Sequence, residues 1–391
     1  MNFLLAPNAM KGSLSAVKIS AIVSKTLRRK YREATIVSSP IADGGNGTLD
    51  CLMNALGGTI YEQEVTGPIP SLRVKARYGI TRESIAIIES AEAIGLQHIT
   101  PTAETIAMAT TRGIGELILA AHEKQCKEIW IGLGGTTTND GGARMARALG
   151  WKLFDVNDEE IKEDVVNLIK LSRIDPSLTL PLSGEGTDPL PLLRGRVREG
   201  VKILCDVKNI LLGEQGAIYT FARQKGANED QLPYLEAALK NYSDVVEQTI
   251  GREFHNIHGS GAAGGLGFGL MAFCNTEIVS GIDFILNAIH FDEKLASCDC
   301  VITTEGVLDE QTLYGKGIAG IAARAQRLNK PVHAFVGRIQ GNTKELKSKL
   351  GLASLTQISP VELSTQEAIR DASWLLADAV YHHDFNHKST K

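Results

Sequence analysis

Short apolar runs alternate with longer amphipathic stretches along most of this chain. The first run, 3–6, stops at Pro7 and predicts a strand. A helix is predicted over 13–31, where Val17, Ile19, Ile22, Val23 and Leu27 fall roughly on one face and Ser13 suits the N-cap. A second strand over 35–40 and a helix over 47–56 follow. That helix ends at Gly57-Gly58, where a left-handed C-cap costs little. The alternation breaks at "TGPIPSLRVKARYG", which carries two prolines and opens a region of antiparallel-looking strands that includes 84–88. A helix over 113–124, a strand over 128–132 and a helix over 143–149 are predicted next. The polar, proline-bearing stretch 155–198 is weakly periodic and predicts little structure. After Gly281 the regular pattern returns: helix 284–296, strand 300–303, helix 319–328, strand 332–336 and a last helix over about 365–381.

This order implies an α/β protein with mainly parallel strands. The simplest architecture is a Rossmann-like parallel-sheet domain built from both ends of the chain, 1–66 and 281–391. A second α/β domain, 67–280, is then inserted, with the first boundary near Gly67. No internal repeat is visible.

Composition narrows the function classes. With 391 residues, 43% hydrophobic and 22% charged, the chain can bury a large core. A net charge of −4 attracts neither nucleic acid nor an anionic membrane, so a small-molecule partner is expected. The N-terminus lacks a basic region before a sustained apolar stretch, and no run approaches the roughly 20 apolar residues of a membrane span; a cytoplasmic location is expected. The six scattered cysteines form no metal or redox motif and read as reduced, mostly buried thiols. His382 and His383 fall in a polar tail, "YHHDFNHKSTK", that predicts fraying rather than metal binding.

Five loops carry candidate chemistry, because ligands of open parallel sheets bind beyond the carboxyl ends of strands, where helix N-termini present unpaired N–H groups. "LLAPNAMKGSLSA" presents Lys11. "IADGGNGT" places Asp43 after a strand, suited to a magnesium ion or a proton, or simply to an Asx turn capping the next helix. "GLGGTTTNDGG" offers Gly134 and Gly135, hydroxyls from Thr136 to Thr138, Asn139 and Asp140, suited to cradling phosphate. "GSGAAGG" contains Gly261 and Gly264 in a formal G-x-G-x-x-G, but the polar segment before it argues for a tightly packed helix of small residues rather than a dinucleotide site. "TTEGVLDEQTLYGKG" sets Glu305 and Asp309 four apart with Lys316 beyond, suited to magnesium or general-base work, or forming a solvated acidic turn. Asp206 follows another apolar run. Arg223 and Lys225 read most simply as surface cations. No P-loop, protein-kinase catalytic loop or H-E-x-x-H occurs.

Taken in order, "LLAPNAMKGSLSA", "PIADGGNGTLD", "TTRGIGELI", "GLGGTTTNDGGARMARALG", "LCDVKNILLGEQGAIYTFARQKGA", "GSGAAGGLGFGLMAF" and "GIDFILNAIHFDEKLASCDCVITTEGVLDEQTLYGKGIAG" resemble the bacterial glycerate kinases that are neither P-loop nor ribokinase-like. The resemblance covers nearly the whole chain. It implies two α/β domains with the active site in the cleft between them, and ATP- and Mg2+-dependent phosphorylation of D-glycerate, usually at the 2-hydroxyl. Lys11 would then neutralise the substrate carboxylate or the transferring phosphoryl group. Asp43, Asp206, Glu305 and Asp309 would supply the magnesium ligand, with Asp43 and Glu305 favoured, and the general base. Gly134, Gly135, Thr136, Thr137, Asn139 and Asp140, with Gly261 and Gly264, would face the nucleotide, and Asn8, Lys11, Lys225 and Glu305 the substrate. Two positions depart from the pattern: Asn8-Ala9 replaces an Asp-Ser pair, and Val307 replaces an Arg. They leave open a kinase for another small hydroxy acid, or a non-catalytic nucleotide or glycerate sensor. Oligomeric state is open, a homodimer included.

Overall fold

The computed structural model describes all residues except Glu163, 177–199, Asn275, 315–316 and 386–391. The chain forms two compact units. One comprises Met1–Asp43, Asp50–Leu56 and Gly281–Lys391, the other Gly44–Leu49 and Gly57–Ser280.

The chain opens with β1 (Asn2–Pro7), the helix Ala16–Lys30 and β2 (Thr35–Ser38). The strands of the second unit follow: β3 (Gly58–Thr66), β4 (Arg73–Thr81), β5 (Ile85–Glu89), β6 (Glu128–Gly132), β7 (Trp151–Phe154), β8 (Arg173–Pro176), β9 (Gly200–Leu204) and β10 (Glu277–Val279). The chain then returns to the first unit with β11 (Cys300–Leu308), β12 (Val332–Ile339) and β13 (Ser354–Gln357).

The first unit holds a five-stranded, all-parallel sheet in the order β13-β12-β11-β1-β2. Its interior strand β1, between β11 and β2, buries Phe3, Leu4, Leu5 and Ala6 alike, because a parallel strand covered on both faces has no solvent side for a polar residue. Phe3, Leu5, Ile19, Val23, Ile302 and Phe335 share one core. The helix after β1 is capped by Ser15, whose hydroxyl accepts from Lys18 N at 3.3 Å, and not by Ser13. Residues 10–14 close a tight turn through Met10 N to Leu14 O (2.9 Å) and Leu14 N to Met10 O (3.0 Å), with Gly12 at φ 74°. This turn delays the helix.

The second unit has a six-stranded sheet, β10-β9-β6-β5-β4-β3, antiparallel from β3 to β5 and parallel from β5 to β10. The boundary differs from the expected one near Gly67. β3 pairs along its whole length with β4, from Gly58↔Thr81 to Thr66↔Arg73, and Gly67 N donates to Leu72 O at 2.7 Å. The two-proline stretch is therefore the loop of a hairpin, and the second unit takes up the chain at Gly57.

Three further elements differ from expectation. The helix expected over 284–296 is two helices, Gly281–Ala288 and Phe291–Ala296, divided at His290 with φ 51°. The stretch from 155 to 198 contributes the antiparallel strand β8 and a short helix, Val165–Lys170, before it leaves the described residues. The tail does not fray at His383. That ring packs with Phe335 and the buried Phe385, and its Nε2 lies 3.1 Å from His333 Nδ1. All six cysteines are buried free thiols, as expected. Among the described residues no helix is long and apolar enough to cross a membrane.

Candidate active site

In the first unit, β1 connects to β2 on one side while β11 leads to β12 and β13 on the other. The winding direction reverses between β1 and β11, the position at which an open parallel sheet leaves a crevice beyond its carboxyl ends. Register sharpens this. β1 pairs with β11 only as far as Pro7↔Thr304, whereas β11 and β12 stay paired to Leu308↔Ile339. A cavity of about 320 Å³ lies at this end of the sheet, and its polar lining includes Asn8, Lys11, Asp43, Glu305, Asp309 and Arg338. Val307, Ile358, Ala368, Ile369 and Ala372 give it an apolar side.

Each polar residue has a local cause for its place. Asn8 is buried directly beyond β1; its N donates to Thr304 O (3.3 Å), its O accepts from Thr304 Oγ1 (2.7 Å) and its Oδ1 accepts from Ala9 N (2.9 Å). A Cβ at Gly317, the first residue of the helix Gly317–Arg327, would come within 2.9 Å of Asn8 Nδ2 and 3.6 Å of Glu305 Oε2. The missing side chain therefore leaves room for the Asn8 amide and the Glu305 carboxylate together. Lys11 is exposed on the tight turn. Asp43 is half-buried, on a segment held beside β1 by Ser39 N to Leu5 O (2.7 Å) and Ile41 N to Pro7 O (3.0 Å).

Glu305 lies inside β11, opposite Val336, and not in a loop after it, because that strand runs five residues beyond the expected end at 303. In a strand, residues two apart share a face. Glu305 and Val307 accordingly both reach the cavity, and Asp309 follows at the strand's end. The Asp309 Oδ1 accepts from Thr312 N (3.1 Å) and Thr312 Oγ1 (3.3 Å), capping the turn Glu310–Tyr314. Lys316 lies outside the described residues.

The second unit uses its glycine loops differently. Cβ atoms at Gly134 and Gly261 would press on Gly45 Cα and on the Ile210 carbonyl, and one at Gly264 would collide with the Thr138 carbonyl oxygen. These glycines allow backbone segments to touch. Asp140 is fully buried; its carboxylate accepts from Thr111 N (3.0 Å), Thr111 Oγ1 (2.9 Å) and Gly142 N (3.2 Å). Burial pushes its carboxyl above the usual range, against these hydrogen bonds and Arg144, which pull it down. Asp140 thus holds its own loop together. Lys225 is not a surface cation: it is buried, its Nζ donates to Thr138 O at 2.7 Å, and burial pulls it down to about 7 although Asp140 opposes the shift. Arg223 does pair at the surface, with Glu229 at 2.6 Å. Thr136 Oγ1 and Asn139 Oδ1 are buried polar atoms without a hydrogen-bond partner among the described residues, which sets them apart from the satisfied Asp140. Thr137 donates to the Ile94 carbonyl, and Gly135 takes φ 65°. Asp206, half-buried after β9, accepts from Ser280 Oγ at 3.0 Å.

Two residues escaped the sequence reading. Glu89, buried at the end of β5, accepts from Gly47 N (3.0 Å) and Leu49 N (3.1 Å) and so anchors the start of the helix Thr48–Leu56. Arg338 lies near the carboxyl end of β12, the kind of position that singled out Asp43. It was missed because the strand was expected to stop at 336.

For a divalent cation, no group of three or more His, Cys, Asp and Glu among the described residues could hold it alone. Asp43 and Glu305 supply hard carboxylate oxygens to one cavity. That donor set fits Mg2+, which takes one or two carboxylates together with water and substrate phosphates.

Comparison with known proteins identifies the family. The sequence pattern of the Glycerate kinase family matches residues 3–383. A glycerate kinase of Halalkalibacterium halodurans is 34% identical over 378 residues, 96% of this chain and 95% of that protein. A glycerate 2-kinase of Escherichia coli is 38% identical over 341 residues, covering 87% and 86%. The crystal structure of a putative glycerate kinase 2 from Salmonella typhimurium LT2, 33% identical, superposes with a TM-score of 0.78 over 97% of this chain and 96% of that one. A mixed α/β fold with parallel sheets, matched over the whole length in sequence and structure, places this chain in the glycerate kinase family.

Proposed function

We propose that this protein transfers the γ-phosphoryl group of ATP to the 2-hydroxyl of D-glycerate, giving 2-phosphoglycerate and ADP. The observation that carries the reading is the gathering of Lys11, Asp43, Glu305 and Asp309 around one cavity at the sheet's switch point, in a chain that matches the family over residues 3–383. Phosphoryl transfer needs mainly positioning and charge neutralisation, and these residues supply both.

In this reading a carboxylate of the cavity, Asp43 or Asp309, takes the proton of the attacking hydroxyl as the oxygen–phosphorus bond forms. Bound Mg2+ would draw charge from the phosphate oxygens, and Asp43 and Glu305 are the residues that would hold it. The Gly134–Asp140 loop would meet the nucleotide through the Thr136 hydroxyl and the Asn139 amide oxygen, two buried atoms of that loop with no hydrogen-bond partner among the described residues. Asp140 and Lys225 serve that loop from inside rather than the substrate.

Purified protein with ATP, Mg2+ and D-glycerate should release ADP, with the product identified by 31P NMR. Asp43→Asn should reduce turnover by at least ~10²-fold, and EDTA should abolish it until Mg2+ is restored. Absence of ADP release above background would sink the reading. Neutral Asn8 and Val307 in the cavity wall favour a second reading, a kinase for a related hydroxy acid, which the same assay across a hydroxy-acid panel resolves.

A further inference from the structure

Val307 and Arg338 are Cα partners in the parallel pairing of β11 with β12, so the two side chains share a face of the sheet, and both line the cavity. Arg338 is half-buried. One guanidinium nitrogen, Nη2, donates to the Leu363 carbonyl, which fixes the head on a rigid strand and leaves other donors of the planar fork. Neither Arg338 nor Lys11 makes an ion pair among the described residues, although three carboxylates line the same cavity. The two cations differ in kind. Lys11 is a point charge on an exposed turn, and Arg338 is a held fork matched to a planar, two-oxygen anion.

We infer that Arg338 binds the carboxylate of the hydroxy-acid substrate, and that Lys11 is thereby left to the transferring phosphoryl group. The substrate class follows: a small acid whose carboxylate sits against the β12 end of the cavity, with Val307 beside it, and whose hydroxyl points toward Asp43 and Asp309. This assignment rests on the proposed hydroxy-acid kinase reading but is tested separately from it. An uncharged polyol of the same length, such as glycerol, lacks the group that Arg338 recognises.

The test is calorimetric binding of D-glycerate, without nucleotide, to the full-length wild type and to the Arg338→Gln, Arg338→Lys and Lys11→Met variants, each first checked for an unchanged melting temperature. The expected result is binding by the wild type, at least ~30-fold weaker binding by Arg338→Gln, an intermediate affinity for Arg338→Lys, and a change of less than about threefold for Lys11→Met. In steady-state assays Arg338→Gln should raise the KM for D-glycerate and leave that for ATP within about twofold. Its preference for D-glycerate over glycerol should fall by a similar factor. Unchanged D-glycerate binding by Arg338→Gln, equal weakening by Lys11→Met, or no binding by the wild type would overturn the assignment. Carboxylate binding that depends on Arg338 without any ADP release would refute the kinase reading and leave the assignment standing.

Discussion

At the scale of single residues, burial decides what a charged group can do. Lys11 and Lys225 are both lysines beside glycine in polar sequence, yet one is exposed at a cavity and the other buried under the Thr138 carbonyl. Lys225 is pulled from 10.5 to about 7, so between these values the unfolded chain holds a proton that the folded one has lost. Stability contributed by this group is therefore complete above 10.5 and falls as pH drops toward 7. Urea midpoints of the wild type should decline across that window, and Lys225→Met should flatten the slope; an unchanged slope would show that the ammonium is not desolvated as described. Asp140 makes the complementary case. Asp140→Ala leaves the Thr111 and Gly142 donors buried without their acceptor and should cost about 3 kcal/mol in urea unfolding. Neither environment is written in the local sequence. "NDGG" and "RQKGA" look alike as polar loops, and only their joint burial tells structure from chemistry.

Whole elements explain where the glycines belong. Gly251 and Gly264 both take left-handed backbone, at φ 76° and 70°, but an added Cβ at Gly251 meets nothing within 4 Å, while at Gly264 it strikes the Thr138 carbonyl. Gly251→Ala should therefore cost only the left-handed penalty of about 1–2 kcal/mol, whereas Gly264→Ala must separate two backbones and should cost clearly more. Denaturant unfolding of the pair checks this, and equal costs would refute the packing argument. The motif "GSGAAGG" packs its glycines against the backbone at Ile210 and Thr138, in line with the close packing expected of its small residues. Strand length was misread, with more consequence. A buried strand shows as an apolar run, and the ends of β11 and β12, "EGVL" and "GRI", turn polar or small where the sheet edges a cavity. That change ended both expected strands early and hid Arg338, although it is the feature that gives Glu305, Val307 and Arg338 a common face.

At the scale of the whole molecule, β1 lies beside β11 although Phe3 and Cys300 come from opposite ends of the chain, and the tail closes the same core. Phe385 packs on Phe3 with ring centroids 5.3 Å apart, and His333 Nδ1 lies 2.8 Å from Ser354 Oγ and 3.1 Å from His383 Nε2. Burial, with the neighbouring His383, pulls His333 from 6.5 to about 4. Its contribution to stability is thus present above 6.5 and lost as pH falls toward 4. Hydrogen-exchange protection of the amides from 376 to 385 should drop in that window before the amides of the second unit respond, and simultaneous loss would refute a local latch. The sequence by itself determined the α/β class, the parallel strands of both ends, the hinge of the pattern at Gly281 and the family, because apolar periodicity, glycine placement and motif order are properties of the chain read in one dimension. Only the tertiary structure decided that the proline-rich stretch is a hairpin, that Asp140 and Lys225 face inward, and that Arg338 stands opposite Val307. Each of those depends on strand register and burial, which bring together residues that no local pattern connects.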